Sequence, residues 1–144
     1  MKTDAGQYLL FTAGGTDCAV DVAQVREVAR YLPFTPVPAA GFGVAGVVNL
    51  RGHVLAALDI AALLQAESSA PQSMNIIAAH DGTFYSLLAE SCGEVVSLLP
   101  ENMEPLPPSA RQWKFLAQYL CRHRNTLMPV IDIKYLIKNI NAPA

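Results

Sequence analysis

Val44-Ala-Gly-Val-Val-Asn-Leu-Arg-Gly-His-Val-Leu-Ala-Ala-Leu-Asp-Ile-Ala-Ala-Leu-Leu64 decides how this chain is read. Two apolar runs, Val44–Leu50 and His53–Leu58, flank an Asn-Leu-Arg-Gly turn. Gly52 tolerates the positive φ of a tight reversal, so the pair predicts a β-hairpin. The second strand ends at Asp59, a good helix N-cap, and Ile60, Leu63 and Leu64 then supply the apolar side of a short helix. The unit is therefore strand, tight turn, strand and capped helical turn, with Arg51 at the tip.

The same unit returns 73 positions later. Val54–Leu64 lies over Leu127-Met-Pro-Val-Ile-Asp-Ile-Lys-Tyr-Leu-Ile137, with Asp59 over Asp132, Ile60 over Ile133 and Leu63 over Leu136. A second echo has a shift of 67, Tyr8–Thr16 over Asn75–Thr83, and each stretch reads as strand, glycine turn and strand. Two matches in the same order are the mark of a duplicated unit. They divide a single domain over 6–140 into halves of about 6–66 and 73–140.

The rest of the chain is rich in short strands. Cys18–Val22 pairs back on Tyr8–Ala13, and Val22–Arg30 reads as a short helix leading into a strand. Phe34–Phe42, with three prolines nearby, reads as an irregular connection, and Glu67–Ser73 as an internal linker. Asn75–Ala79, Thr83–Ala89, Glu94–Leu99 and Leu127–Ile131 read as strands. Pro100–Ser109 is expected to lack regular structure. Trp113, Leu116, Ala117 and Leu120 have near-helical spacing, compatible with a helix over Gln112–His123. Asp132–Ile140 reads as the last helix. Many short strands, few helices and two similar halves predict a mainly β fold of two small β-barrels packed together.

Composition narrows the function classes. At 144 residues the chain is about one domain long. Hydrophobic residues make up 52% and charged residues 15%, so apolar surface is left for partners to cover. A net charge of −2 argues against nucleic acid, which favours a basic face. No run approaches the roughly 20 apolar residues that span a bilayer, and the first residues lack the apolar core of a signal peptide. Cys18, Cys92 and Cys121 are odd in number and widely spaced, which predicts free, buried thiols.

Candidates for chemistry are few. His53, His80 and His123 have no cysteine or second histidine at ligand spacing, so no metal site is predicted. Ser86 and Ser91 with His80 and Asp81 would make a hydrolytic trio only on paper, because no strained nucleophile turn presents either serine. Gly14-Gly15 is not followed by Gly-Lys-Ser/Thr, so no phosphate loop is present. The reading is a protein that is not an enzyme, with no cofactor. A small hydrolase is the alternative from a different class.

One polar pair stands out, Glu27 in Val25-Arg-Glu-Val28 and Arg51 in Asn-Leu-Arg-Gly. Most such surface charges are simply solvated. However, these two segments, with Val44–Leu64, resemble the signature of the CheW family, adaptors of bacterial chemosensory arrays. The resemblance runs from Gly6 to about Ile140. It implies two SH3-like five-stranded β-barrels packed together, and no cofactor. It also implies binding to the regulatory domain of a CheA-type histidine kinase and to the cytoplasmic tip of a chemoreceptor (methyl-accepting chemotaxis protein), without nucleic acid or membrane insertion. The location implied is the cytoplasm, at receptor arrays. Glu27 and Arg51 would form a pair at the receptor-binding face, in a groove lined by Val22, Val25, Val28, Gly46 and Val95. Departures are Ser86-Leu-Leu-Ala-Glu90 where relatives show Gly-x-x-Val-Asp, with Ser86 replacing a groove-facing glycine. His53-Val-Leu-Ala-Ala is likewise milder than the usual Val-Pro-Val/Ile run. A pathway for type IV pili uses similar adaptors and is the nearest alternative.

Overall fold

A computed structural model of the chain describes residues 6–38, 43–65 and 71–140. Strands β1 (Gly6–Ala13) and β2 (Thr16–Asp21) form the first hairpin, and a 3₁₀ turn at Val22–Gln24 leads into β3 (Val25–Arg30). The short β4 (Phe34–Pro36) precedes the hairpin of β5 (Val44–Leu50) and β6 (His53–Asp59), which runs into helix α1 (Ile60–Leu63). The series then repeats as β7 (Met74–His80), β8 (Thr83–Ala89), β9 (Ser91–Leu98), β10 (Met103–Pro105), β11 (Ala117–His123), β12 (Thr126–Ile131) and α2 (Ile133–Ile140). Both predicted helix caps are present. Asp59 Oδ1 accepts from the Ala62 amide at 3.0 Å, and Asp132 Oδ1 from the Tyr135 amide at 3.2 Å.

The strands form two sheets, ordered β10-β11-β12-β2-β1-β9 and β4-β5-β6-β8-β7-β3. Each has six strands, the sixth being a three-residue edge strand, β4 or β10, on the five expected for a small SH3-like barrel. The two orders are the same once the repeat is applied. The hairpins, however, are exchanged: β1–β2 joins the sheet of β9–β12, and β7–β8 joins the sheet of β3–β6. Parallel pairings make these joins, β6 with β8 (Ala57 opposite Ser86) and β12 with β2 (Val130 opposite Ala19).

Three apolar clusters hold this arrangement. The largest takes Leu9, Phe11 and Val20 from one sheet, Leu58, Ile76 and Leu87 from the other, and Ile60, Leu63, Ile133 and Leu136 from the helices. The helices thus cement the two sheets, since each presents its apolar side to this cluster. Val48, Leu50, Leu55, Ala57, Ile77 and Leu88 fill one sheet's own interior, and Tyr8, Ala19, Leu98, Cys121 and Met128 the other's.

Three local expectations give way. Phe34–Pro36 is a strand rather than part of an irregular loop, and residues 39–42 lie outside the described residues. Pro100–Ser109 contains β10 between 3₁₀ turns; at a sheet edge the missing proline N–H costs no ladder bond. Gln112–His123 is not a helix. Trp113 closes a 3₁₀ turn and Ala117 opens β11, so the near-helical spacing comes from a turn and a strand that both bury side chains. Residues 67–70 of the expected linker lie outside the described residues.

Candidate functional site

The β5–β6 hairpin turns at Arg51 and Gly52, with φ of 50° and 90°, a two-residue reversal of the twist-matched kind. Asn49 Oδ1 accepts from the Gly52 amide at 2.8 Å and holds the tip. From this tip the Arg51 guanidinium reaches β3, where Nη1 donates to Glu27 Oε1 and Nη2 to Glu27 Oε2, both at 2.9 Å. The expected pair is thus a bidentate fork joining the outermost long strand of its sheet to the hairpin. Planar, two-bond recognition of a carboxylate is what guanidinium does and lysine does not. The Arg51 hydrogen bonds hold the Glu27 carboxyl below its ordinary range, and Glu27 in turn pushes Arg51 up.

A bulge aims Glu27. In the β3–β7 pairing the register shifts between Val25 (opposite Ala78) and Glu27 (opposite Ile77), which turns the strand locally. Val25 and Val22 are half-buried and pack against the large apolar cluster. Val28 is 41% exposed on the same strand. Gly46 is buried beneath β4, where a Cβ would collide with the Thr35 carbonyl and with Pro36, so it permits close strand approach. Val95, 54% exposed, is on β9 of the other sheet. Arg30 of β3 acts on the Cys92 thiol of β9: burial raises that thiol and the guanidinium partly offsets the rise. Val28 and Val95 thus stand on edge strands of different sheets.

Ser86 is not on a groove. It is fully buried, and its Oγ donates to Asn75 Oδ1 at 2.8 Å. Glu90 accepts a hydrogen bond from the Gly15 amide, so it braces the β1–β2 turn. Cys18, Cys92 and Cys121 are free. Burial, with Asp17 and Cys121 nearby, raises the Cys18 thiol, and burial pushes Cys121 up to about 11. Among the described residues no group of three or more His, Cys, Asp or Glu is placed to hold a metal, and no helix is long and apolar enough to cross a membrane.

The CheW-like domain family matches residues 7–141. The chain belongs to the CheW family. It is 30% identical to the chemotaxis protein CheW of Rhizobium meliloti (strain 1021) over 78% of this chain and 74% of that one. With the chemotaxis protein CheW of Helicobacter pylori it shares 21% over 92% and 81%. The crystal structure of the scaffolding protein TtCheW from Thermoanaerobacter tengcongensis has the same fold, with a TM-score of 0.80 over 92% of each chain at 19% identity. Within this CheW-family fold, sequence reading missed the Asn75–Ser86 bond and a second acidic–basic contact at Glu94. The signal for the latter was available, because Glu94 follows Glu27 by 67 positions and Arg124 follows Arg51 by 73.

Proposed function

We propose that this CheW-family chain is a chemosensory adaptor that couples chemoreceptors to a CheA-type histidine kinase. The observation that carries the reading is the Glu27–Arg51 fork, which ties strand β3 to a hairpin tip beside the exposed Val28. Such a fork keeps the shape of a neighbouring apolar groove, and an apolar groove with fixed walls suits an amphipathic helix. Val22, Val25, Val28 and Val95 supply its apolar side, Gly46 lets the strands beneath come close, and the receptor tip supplies the helix. The regulatory domain of the kinase, by the family resemblance, meets an end of a barrel. The action is scaffolding at receptor arrays in the cytoplasm. Receptor state reaches the kinase through shared contacts, with no bond made or broken.

The test is a pair of titrations by calorimetry, one with the kinase regulatory domain and one with the purified cytoplasmic tip fragment of a chemoreceptor from the same cell. Both are expected to bind wild-type protein. Arg51→Ala is expected to weaken the receptor tip roughly 5- to 150-fold, the span of ordinary coupling, and to spare the kinase domain. Absence of heat and of a complex on a sizing column with both partners would overturn the reading.

A further inference from the structure

A cavity of about 560 Å³ opens where β1, β2, β10, β11 and β12 meet. Pockets that take small organic ligands run from roughly 300 to 1,000 Å³ and are mostly apolar with a few convergent polar groups. Leu98, Leu99, Pro100, Met103 and Val130 give this one apolar walls. Neither Glu27 nor Arg51 borders it, so the receptor reading above can fail without touching this site. Its charge has one sign. Asp21 and Asp132 are the only charged side chains on its walls among the described residues, with no lysine, arginine or histidine beside them. Asp21 Oδ1 accepts from the Ala23 amide at 2.9 Å and Asp132 Oδ1 from the Tyr135 amide at 3.2 Å. A carboxylate has about four acceptor sites, so the cap bond leaves Asp132 able to accept further donors.

Aromatic rings complete the chemistry, and the internal repeat shows that they are particular to this sheet. Tyr8 stands at the repeat position of Asn75, and Tyr119 at that of Gly46. Gly46 pairs with Pro36 of β4, which closes over it so tightly that a Cβ would meet the Thr35 carbonyl. Tyr119 pairs with Pro105 of β10 in the same register, yet carries a whole ring there and is 51% exposed. Where one sheet is sealed by a glycine, the other has a cavity with a tyrosine in its wall. Aromatic faces and carboxylates attract the same kind of guest, a cation with an apolar body.

We propose that this cavity binds a small organic cation, an ammonium on an aromatic body, with its charge at Asp132 and its body against Tyr119 and Met103. An anion is refused because both charged walls are acidic. A neutral molecule of the same shape keeps the apolar contacts and loses the charge.

The experiment uses the full chain with carbon-13-labelled methionine methyl groups and three probes of one shape: 2-phenylethylammonium, 2-phenylethanol and phenylacetate. The ammonium is expected to move the Met103 methyl signal to saturation with a Kd on the order of a millimolar, ordinary for so small a ligand. The alcohol should bind at least about fivefold more weakly, since hydrogen bonds to a charged group are the stronger ones, and phenylacetate should not bind. Asp132→Asn keeps the helix cap, because asparagine caps as well as aspartate, and is expected to erase the ammonium's advantage over the alcohol. Tyr119→Leu keeps an apolar wall without a ring and should weaken the ammonium more than the alcohol. A Met103 signal that the ammonium does not saturate, or three probes that bind alike, overturns the site. So does an ammonium advantage that survives in Asp132→Asn; if that variant fails to fold, an advantage undiminished in Tyr119→Leu decides against the site in its place.

Discussion

The two sheets share one strand order but not one interior. At the positions where one sheet carries Asn75 and Ser86, the other carries Tyr8 and Ala19. A buried Ser–Asn hydrogen bond thus sits where the counterpart pair is a tyrosine and an alanine. The difference falls beneath the fork-bearing edge: Asn75 Nδ2 also reaches the Ala29 carbonyl of β3 at 3.5 Å. Only hydrogen-bonded partners make such burial tolerable, and in return they limit how the strands can slide. The sheet with the closed Glu27–Arg51 fork is the one with a polar bolt inside, whereas the sheet with the open Glu94–Arg124 contact is packed by apolar side chains.

The strongest test of equivalence lies in the shared cluster. Leu58 and Ile131 occupy the same repeat position and are fully buried there. Leu58→Ala and Ile131→Ala are each expected to cost roughly 2–5 kcal/mol in urea unfolding. A cost near zero for either one would break the symmetry at its core.

A smaller effect should show the asymmetry. Ser86→Ala strands Asn75 Oδ1 and is expected to cost about 1–3 kcal/mol. Ala19→Ser, its mirror image, buries a hydroxyl opposite no carboxamide and should also destabilise. If Ser86→Ala proved neutral, the bolt would have no energetic content.

At the surface, stability hardly enters. Because Glu27 titrates below the ordinary glutamate value of 4.5, its contribution is fully present above that value and is lost as pH falls through the lower folded one. A carboxyl-carbon NMR titration should find Glu27 depressed in wild type and restored towards 4.5 in Arg51→Ala. A wild-type Glu27 that titrates normally would mean that the fork does not persist in solution. Arg51→Lys should restore little, since an ammonium cannot make both bonds.

The smallest expected signal is chemical. At neutral pH, Cys92 should react with a thiol reagent ahead of Cys18 and Cys121, whose burial both raises the thiol and blocks access. Fast modification of Cys121 in the native protein would show that its sheet's interior opens more readily than its packing implies.

Much of this was legible in the residues. Hairpin tips, the two aspartate caps and the strand at Asn75–Ala79 follow from glycine, aspartate and a short apolar run, all of which act within a few positions. The Glu27–Arg51 pair was readable through the family resemblance, and its fork geometry was not. Trp113–Leu120 misled because burial, rather than helical winding, set its spacing. Ser86 was placed on a groove since a small residue looks the same facing a groove or a neighbour.

What the sequence alone determined is local: which segments turn, which extend, which are capped, and that the series occurs twice. Only the tertiary structure decided that each sheet borrows its hairpin from the other half. That choice is made by the parallel pairings of β6 with β8 and β12 with β2, and by helices whose apolar sides need both sheets to be covered. Periodicity records that a strand has a buried face; it holds no record of which distant strand will cover it.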